Sequence, residues 1–510
     1  MEQITIEIGD IYCKIVSTPA KAIPIIANVC KARPEGYFFM PKYKNGTWDG
    51  YISLLKGYKV FPTGLLPMIE DKLEDYKVTL VGRDDIIYQP EEDAETIRTC
   101  LNEVILRDYQ VEATRELLEA QRGIAKMATN AGKTVVFAAL IKLLGNANAL
   151  VVVQTKDLLY QTSERLQSYL GKEVGVIGDS HFSDCDICVA TIQTLNSFYT
   201  RHGVKELCKR FASNKILICD ESHHISHNKT FDILMQIPGW HRYGMSGTPL
   251  NRGALNDLKL IACTGPVITE ISNAELIAME FSAVPHIYFH DVPLEATHSH
   301  VSWDATYEAA YDSQIVRNMS RNIIITDIAA EAVMTGTVMI IVTRIVHGYL
   351  LLDALELSVL FEDIVFVNGG SEMEQRRAAL DRLATGEHII VIATNIFDEG
   401  VDVPAMDTLI LACGGKSQLK LLQRIGRGMR KKEGVNILNI HDFIDGSNKY
   451  LLKHSEERLH VYKEEGFTTV VCAEGSTGAC QTPSSNGVRK RGKASVQMAV
   501  KSRKGQVRKV

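Results

Sequence analysis

The chain has 510 residues, 45% of them apolar, and a formal net charge of −5. That is enough apolar material for about three globular domains, and it excludes an intrinsically disordered chain. The longest apolar stretch, Val135 to Leu144, is interrupted by Lys142 and falls far short of the roughly 20 residues that span a bilayer, so no membrane partner is expected.

Met1-Glu2-Gln3-Ile4 lacks a basic region followed by an apolar core, and the chain reads as soluble and cytoplasmic. Eleven cysteines, an odd number set in apolar segments such as those around Cys219 and Cys413, fit a reducing compartment rather than a disulfide framework. At the front, Ile4, Ile6 and Ile8 alternate up to Gly9-Asp10, the pattern of a strand entering a hairpin. Gly36 to Gly50 then gathers Tyr37, Phe38, Phe39, Tyr43 and Trp48 around Lys42 and Lys44. Such rings stack bases when exposed beside lysines, and form the core of a small β-rich domain when buried. Residues 1–95 are expected to be a small α+β accessory domain, with the acid-rich segment Asp84 to Arg98 as connector.

From Leu106 to about Gly265, apolar strand-like runs alternate with amphipathic helices. The expected strands are Gly123 to Met127, Ala149 to Val153, Asp186 to Ala190, Lys215 to Cys219 and Arg242 to Met245, with a helix over Asp157 to Leu170. This alternation implies a parallel sheet wrapped by helices, over residues 106–265. Ala128-Thr129-Asn130-Ala131-Gly132-Lys133-Thr134 follows the first strand and has a single glycine, while Asn130 is the other residue able to turn left-handed. Amide groups of such a loop cradle phosphates, Lys133 reaches the β- and γ-phosphates of ATP, and Thr134 offers a hydroxyl to Mg²⁺. Asp220, ending an apolar run, holds the same Mg²⁺, and Glu221 beside it polarises the attacking water. Of the neighbouring histidines, His223 suits hydrogen bonding between lobes and His227 the surface. The spacing of His223, His224 and His227 could fit a metal site, but those roles are simpler, and Cys185-Asp186-Ile187-Cys188 lacks the two further ligands a zinc site needs.

Residues 266–313 are expected to be a linker. The alternation resumes from about Gln314 to Phe467, giving a second lobe over residues 314–470 with strands at Thr337 to Val342, Asp363 to Val367, His388 to Ala393 and Thr408 to Ala412. This half lacks a phosphate loop but carries Gln423-Arg424-Ile425-Gly426-Arg427-Gly428-Met429-Arg430. If two lobes close on one another, Arg427 and Arg430 act as arginine fingers on the transferred phosphoryl group. Residues 475–510 contain nine bases and no acid, so the tail is a flexible basic appendage on a body of charge −14.

In this order the segments resemble superfamily 2 helicases over residues 106 to 445, nearer the Asp-Glu-x-His group, whose pattern points to DNA rather than RNA. The resemblance implies two tandem RecA-like parallel-sheet lobes in an α/β fold. It implies that Arg107 and Gln110, in Leu106-Arg107-Asp108-Tyr109-Gln110, recognise adenine, with Gln110 making a bidentate contact to the base. Thr129, Asn130, Ala131, Gly132, Lys133, Thr134, Gly400 and Asp402 then bind the nucleotide, and Lys133, Asp220, Glu221, Gln423, Arg427 and Arg430 serve its hydrolysis. Thr155, Lys156, Thr191, Gln193, Thr343, Arg344, Gly369 and Thr394 contact the strand, and Ser246-Gly247-Thr248-Pro249 couples ATP state to it. The front end resembles the N-terminal domain of phage recombination helicases of the UvsW type, which remodel branched DNA. The expected activity is ATP-dependent unwinding or translocation on branched or single-stranded DNA in recombination, repair or replication. An RNA-remodelling ATPase and the motor subunit of a restriction complex are the alternatives. A monomer is compatible with the sequence.

Overall fold

The computed structural model describes residues 2–82, 93–250, 252–293, 303–358, 363–394, 406–415, 425, 426, 429 and 436–472. The chain divides into two compact units, Met1–Ser272 and Asn273–Val510.

The first unit holds two larger sheets and a two-stranded ribbon. Its front sheet contains β1 (Gln3–Glu7), β2 (Tyr12–Ser17), β5 (Val60–Pro62) and β6 (Lys77–Val81), in the order β5-β2-β1-β6; a separate two-stranded ribbon pairs β3 (Lys31–Ala32) with β4 (Ile52–Ser53). β1 and β2 form the antiparallel hairpin that the isoleucine alternation implies, with Ile4 and Ile6 facing the core and the residues between them facing out.

The larger sheet comprises β7 (Arg122–Met127), β8 (Ala149–Val153), β9 (Gly175–Gly178), β10 (His181–Phe182), β11 (Ile187–Thr191), β12 (Ile216–Asp220), β13 (His241–Ser246) and β14 (Val267–Ile271), in the order β10-β9-β11-β8-β12-β13-β7-β14. Every pairing in it is parallel except that of β10 with β9. Runs such as Ala-Leu-Val-Val-Val in β8 are buried at every position because helices cover both faces. The helix Lys133–Leu143 is likewise buried nearly all round along Val136 to Ile141.

Although the front end has its own sheet, its core is continuous with that of the larger one. Ile4, Ile26, Phe61 and Leu65 belong to the same buried cluster as Leu258, Leu260 and Ala262. Arg122 fastens the joint, donating to the carbonyls of Asp10 (2.9 Å) and Trp240 (2.8 Å). At the seam, Gly64 approaches the helix Ala254–Thr264 so closely that a β-carbon would lie 2.2 Å from the carbonyl oxygen of Ile261. Gly64→Ala is therefore expected to cost about 1–3 kcal/mol, since backbone on both sides must move. A thermal midpoint equal to that of the parent protein would show that the seam is not a tight contact.

The second unit is built on β15 (Val284–Asp291), β16 (Val338–Ile341), β17 (Ile364–Val367), β18 (Ile390–Ala393), β19 (Thr408–Ile410), β20 (Ile437–Ile444) and β21 (Thr468–Cys472), in the order β17-β18-β16-β19-β20-β15-β21. All of its pairings are parallel. Residues 266–313, expected as a linker, are in part sheet instead: Val267–Ile271 closes the edge of the first large sheet, and Val284–Asp291 lies inside the second, between β20 and β21. Their polar residues hid them. Val284–Asp291 carries Pro285, two histidines and Asp291 in place of the continuous apolar run of a buried parallel strand. Among the described residues, no helix is long and apolar enough to cross a membrane, and all cysteines are free thiols.

Candidate functional site

The carboxyl ends of parallel strands are where the backbone turns out of the sheet into a helix, leaving amide groups and short side chains to face a crevice. In the first unit, the residues singled out by sequence divide along that edge. β7, β13 and β12, which are neighbours, end at the phosphate loop, at Ser246 and at Asp220; β8 and β11, adjacent on the far side of β12, end at Thr155 and Thr191.

After β7 the loop makes two left-handed turns, at Asn130 (φ 71°) and at Gly132 (φ 77°), which begins the helix Lys133–Leu143. Asn130 thus takes the conformation for which its side chain is suited. Thr129, Asn130 and Thr134 are half-buried and Ala131 is fully buried. Lys133 Nζ lies 3.2 Å from Glu221 Oε1, both side chains being mostly buried.

Glu221 is itself left-handed (φ 45°), a conformation that costs a non-glycine residue roughly 1–2 kcal/mol. Its amide donates to Asp220 Oδ1 at 2.9 Å. Its other oxygen, Oε2, is 3.4 Å from His223 Nδ1 and accepts from Ser246 Oγ at 3.5 Å. Burial opposes the Glu221 charge, but the Lys133 ammonium and the His223 imidazole outweigh it and hold the carboxyl well below the usual carboxylate range. Ser246 Oγ also lies 3.1 Å from His223 Nδ1 and accepts from the Thr248 amide at 3.3 Å. One hydrogen-bonded chain therefore runs from Lys133 through Glu221, His223 and Ser246 to Thr248.

His223, expected to bond between lobes, is buried and spends Nδ1 on Glu221 and Ser246 of its own unit. Burial, with the neighbouring His223, pushes His224 down to about 4, so it is neutral at physiological pH. His227 is exposed. Among the described residues, no three His, Cys, Asp or Glu side chains are grouped to hold a metal ion.

Gln110 packs beside the loop. Its Oε1 accepts from the Arg107 amide at 2.9 Å and its Nε2 donates to the Ala131 carbonyl at 2.9 Å, with 3% of the residue exposed. Tyr109 donates to the same carbonyl at 3.1 Å, and Arg107 donates to the Tyr109 hydroxyl at 3.0 Å. Both ends of Gln110 thus bond to protein, and it helps to shape the phosphate loop. The residue type announced a nucleotide site; only the fold shows which group it holds.

At the half of the edge where strand contacts were expected, Thr155 and Thr191 are N-caps, accepting from the amides of Leu158 and Thr194, each at 3.3 Å. Lys156 pairs with Asp179, and Gln193 is exposed. In the second unit, Thr343, Gly369 and Thr394 follow β16, β17 and β18, three strands adjacent in the sheet. Arg344 is engaged by Glu308 and by Asp312 (3.2 Å) and lies over the Tyr311 ring at 5.1 Å. These partners sit in the segment read as linker, so sequence gave no sign of them. Gly400, Asp402, Gln423, Arg427 and Arg430 lie outside the described residues.

Three family models match the chain: the N-terminal domain of the DNA helicase UvsW over residues 22–81, the res subunit of type III restriction enzymes over 103–251, and the helicase conserved C-terminal domain over 321–432. The chain is 24% identical over 479 residues to the ATP-dependent DNA helicase uvsW of Enterobacteria phage T4, covering 86% of this chain and 92% of that one. It is 28% identical over 380 residues to the DNA 3'-5' translocase XPB2 of Sulfurisphaera tokodaii, covering 66% and 81%. In fold it is similar to Saccharomyces cerevisiae Dbp5 bound to RNA and ADP BeF3, with a TM-score of 0.51, 16% identity and coverage of 78% and 93%.

Proposed function

We infer that this chain, which belongs to the superfamily 2 helicases and resembles the UvsW type, is an ATP-dependent DNA helicase or translocase whose substrate is branched DNA. The observation that carries the reading is the joint match: the front segment to the UvsW N-terminal domain, and 86% of the chain to a DNA helicase of the same build. The restriction-motor reading would leave the front segment without a purpose.

The residues present fit ATP. The left-handed turns at Asn130 and Gly132 open the loop at a helix N-terminus, and Lys133 stands there against the Glu221 carboxylate, whose place a phosphate can take. Thr134 and Asp220 would hold Mg²⁺, and ATP bound with it would supply the phosphoryl transfer that drives the motor. The rest follows from the chain's own groups. When Lys133 turns to the phosphates, Glu221 loses its strongest partner while its burial persists, so its proton affinity rises and it can take a proton from the attacking water. The same exchange alters the bonds that Glu221 shares with His223 and Ser246, and so reaches the segment 246–249 and the helix Ala254–Thr264 behind it. Gln423, Arg427 and Arg430 are assigned to the transferred phosphoryl group on the family pattern.

The test is ATP turnover and strand exchange on a four-way junction, a replication-fork mimic, a displaced-strand structure and a tailed duplex, each in DNA and with an RNA single strand of equal length as a further stimulus. Turnover and remodelling are expected to be greatest on the branched DNAs. Equal activity on the simple tailed duplex would reduce the function to generic unwinding, and stimulation by RNA above DNA would replace the substrate.

A further inference from the structure

Within the front end, two adjacent phenylalanines stay in solvent beside a large core: Phe38 is 51% exposed and Phe39 68%. Their placement is built. The ring centroids of Phe38 and Phe39 are 4.3 Å apart, Phe38 meets the edge of Tyr37 at 5.6 Å, and Tyr37 meets Tyr43 at 4.9 Å. Beneath them the Arg33 guanidinium is sandwiched between Tyr37 (4.6 Å) and Tyr51 (4.4 Å) and donates to the Tyr37 hydroxyl at 3.0 Å. Trp48 Nε1 ties the far side of the turn to the Tyr51 carbonyl at 2.7 Å. Lys44 lies over the Phe39 ring at 5.8 Å and Lys42 is exposed beside it.

We propose that the turn from Tyr37 to Lys44 is a stacking platform for the bases of an unpaired DNA strand. The proposal rests on the helicase reading and locates where a separated strand is gripped outside the two lobes. Exposed ring faces bind whatever offers a complementary π-face, and bases offer one only when unpaired and unstacked, which disfavours intact duplex. Charge favours a polyanion over an apolar protein partner: between residues 31 and 51 stand Lys31, Arg33, Lys42 and Lys44 against Glu35 and Asp49. Of those two acids, Glu35 is turned onto the backbone at Gly253, and the Asp49 carboxylate accepts from the Tyr51 amide at 3.0 Å. Gly253, where Glu35 approaches, precedes the helix Ala254–Thr264 that follows Ser246-Gly247-Thr248-Pro249.

The experiment is a fluorescence-anisotropy titration of the full chain with labelled oligo-dT and with an abasic strand of equal length. F38A/F39A is expected to bind oligo-dT about ten-fold more weakly than the parent, in the range measured for loss of one base–aromatic stack. F38W/F39W is expected to restore binding, the parent should show the same deficit on the abasic strand, and DNA-free ATP turnover should not change. Unaltered oligo-dT affinity of F38A/F39A would overturn the proposal and leave a protein as the occupant; so would an equal loss on both strands, since stacking needs bases. A parent protein that binds oligo-dT through these rings but separates no strands would instead overturn the helicase reading and leave the platform standing.

Discussion

Lys133→Ala is expected to lower ATP turnover by about 10²–10³-fold or more, the usual cost of removing one fixed charge aimed at a developing negative charge, while affinity for single-stranded DNA is retained. Phosphate release and anisotropy measure the two quantities. The reason for the separation is positional: Lys133 follows β7, whereas Thr155 and Thr191 follow β8 and β11 beyond β12. A second effect accompanies the first. Lys133 lies 3.2 Å from Glu221, which is left in the variant as a mostly buried carboxylate without that ammonium. The sign follows from the depressed carboxyl. A group held below its unfolded value contributes stability above the ordinary carboxylate range and loses it as pH falls through the folded value. Lys133→Ala is therefore expected to be less stable than the parent at neutral pH by about 1–3 kcal/mol, with the gap closing in acid. Lys133→Ala/Glu221→Gln should recover part of that loss, because no unpaired charge remains, yet stay inactive. Strand separation by either single variant, Lys133→Ala or Glu221→Gln, would remove the ATP site from the mechanism.

Arg458→Met is expected to destabilise the second unit by about 3–5 kcal/mol, a loss read as a lowered denaturation midpoint. Arg458 is buried on the helix Lys449–Glu464 and donates through Nε to Asp442 Oδ2 at 2.9 Å. Its other nitrogens donate to the carbonyls of Phe443 (2.9 Å) and Gly415 (3.0 Å). Tyr462 donates to Asp442 at 2.5 Å, and Arg321 holds the neighbouring Asp445 at 2.9 Å. Asp442 is 0% exposed, so removing Arg458 strands a carboxylate that cannot reach water. Arg458→Met/Asp442→Leu should be far less damaging than Arg458→Met alone, since it removes both charges and keeps the volume. An unchanged midpoint for Arg458→Met would show that this cluster does not anchor the helix to β20.

The strands that sequence showed most clearly are those whose burial on both faces demands unbroken apolar runs. Ala149–Val153 is an example, and five strands of the first large sheet lie within a residue or so of where alternation put them. The strands that stayed hidden carry polar residues whose partners come from far along the chain. His290 Nε2 meets His441 Nδ1 at 2.8 Å across β15 and β20, a pairing 151 residues apart that no local window contains. Asp442 in β20 is tolerable only because Arg458 and Tyr462 reach it from the helix Lys449–Glu464. The four-residue β9 was too short to stand out beside the helices.

For the site, residue type and order were enough to single out Lys133, Asp220 and Glu221, because phosphate, metal and water each demand a particular kind of group at a strand end. That Gln110 is spent on Ala131, that His223 turns inward to Ser246, and that Arg344 is taken by Glu308 and Asp312 depend on which elements pack together. By itself, then, the sequence determined the chemistry on offer and the alternation of strand and helix, since both are local properties of side chains along the backbone. Only the tertiary structure decided strand order, the union of the front end with the first large sheet, and which partner each polar side chain holds. Those outcomes are set by burial among residues distant in the chain, where a charge or an amide persists only if something folds back to meet it.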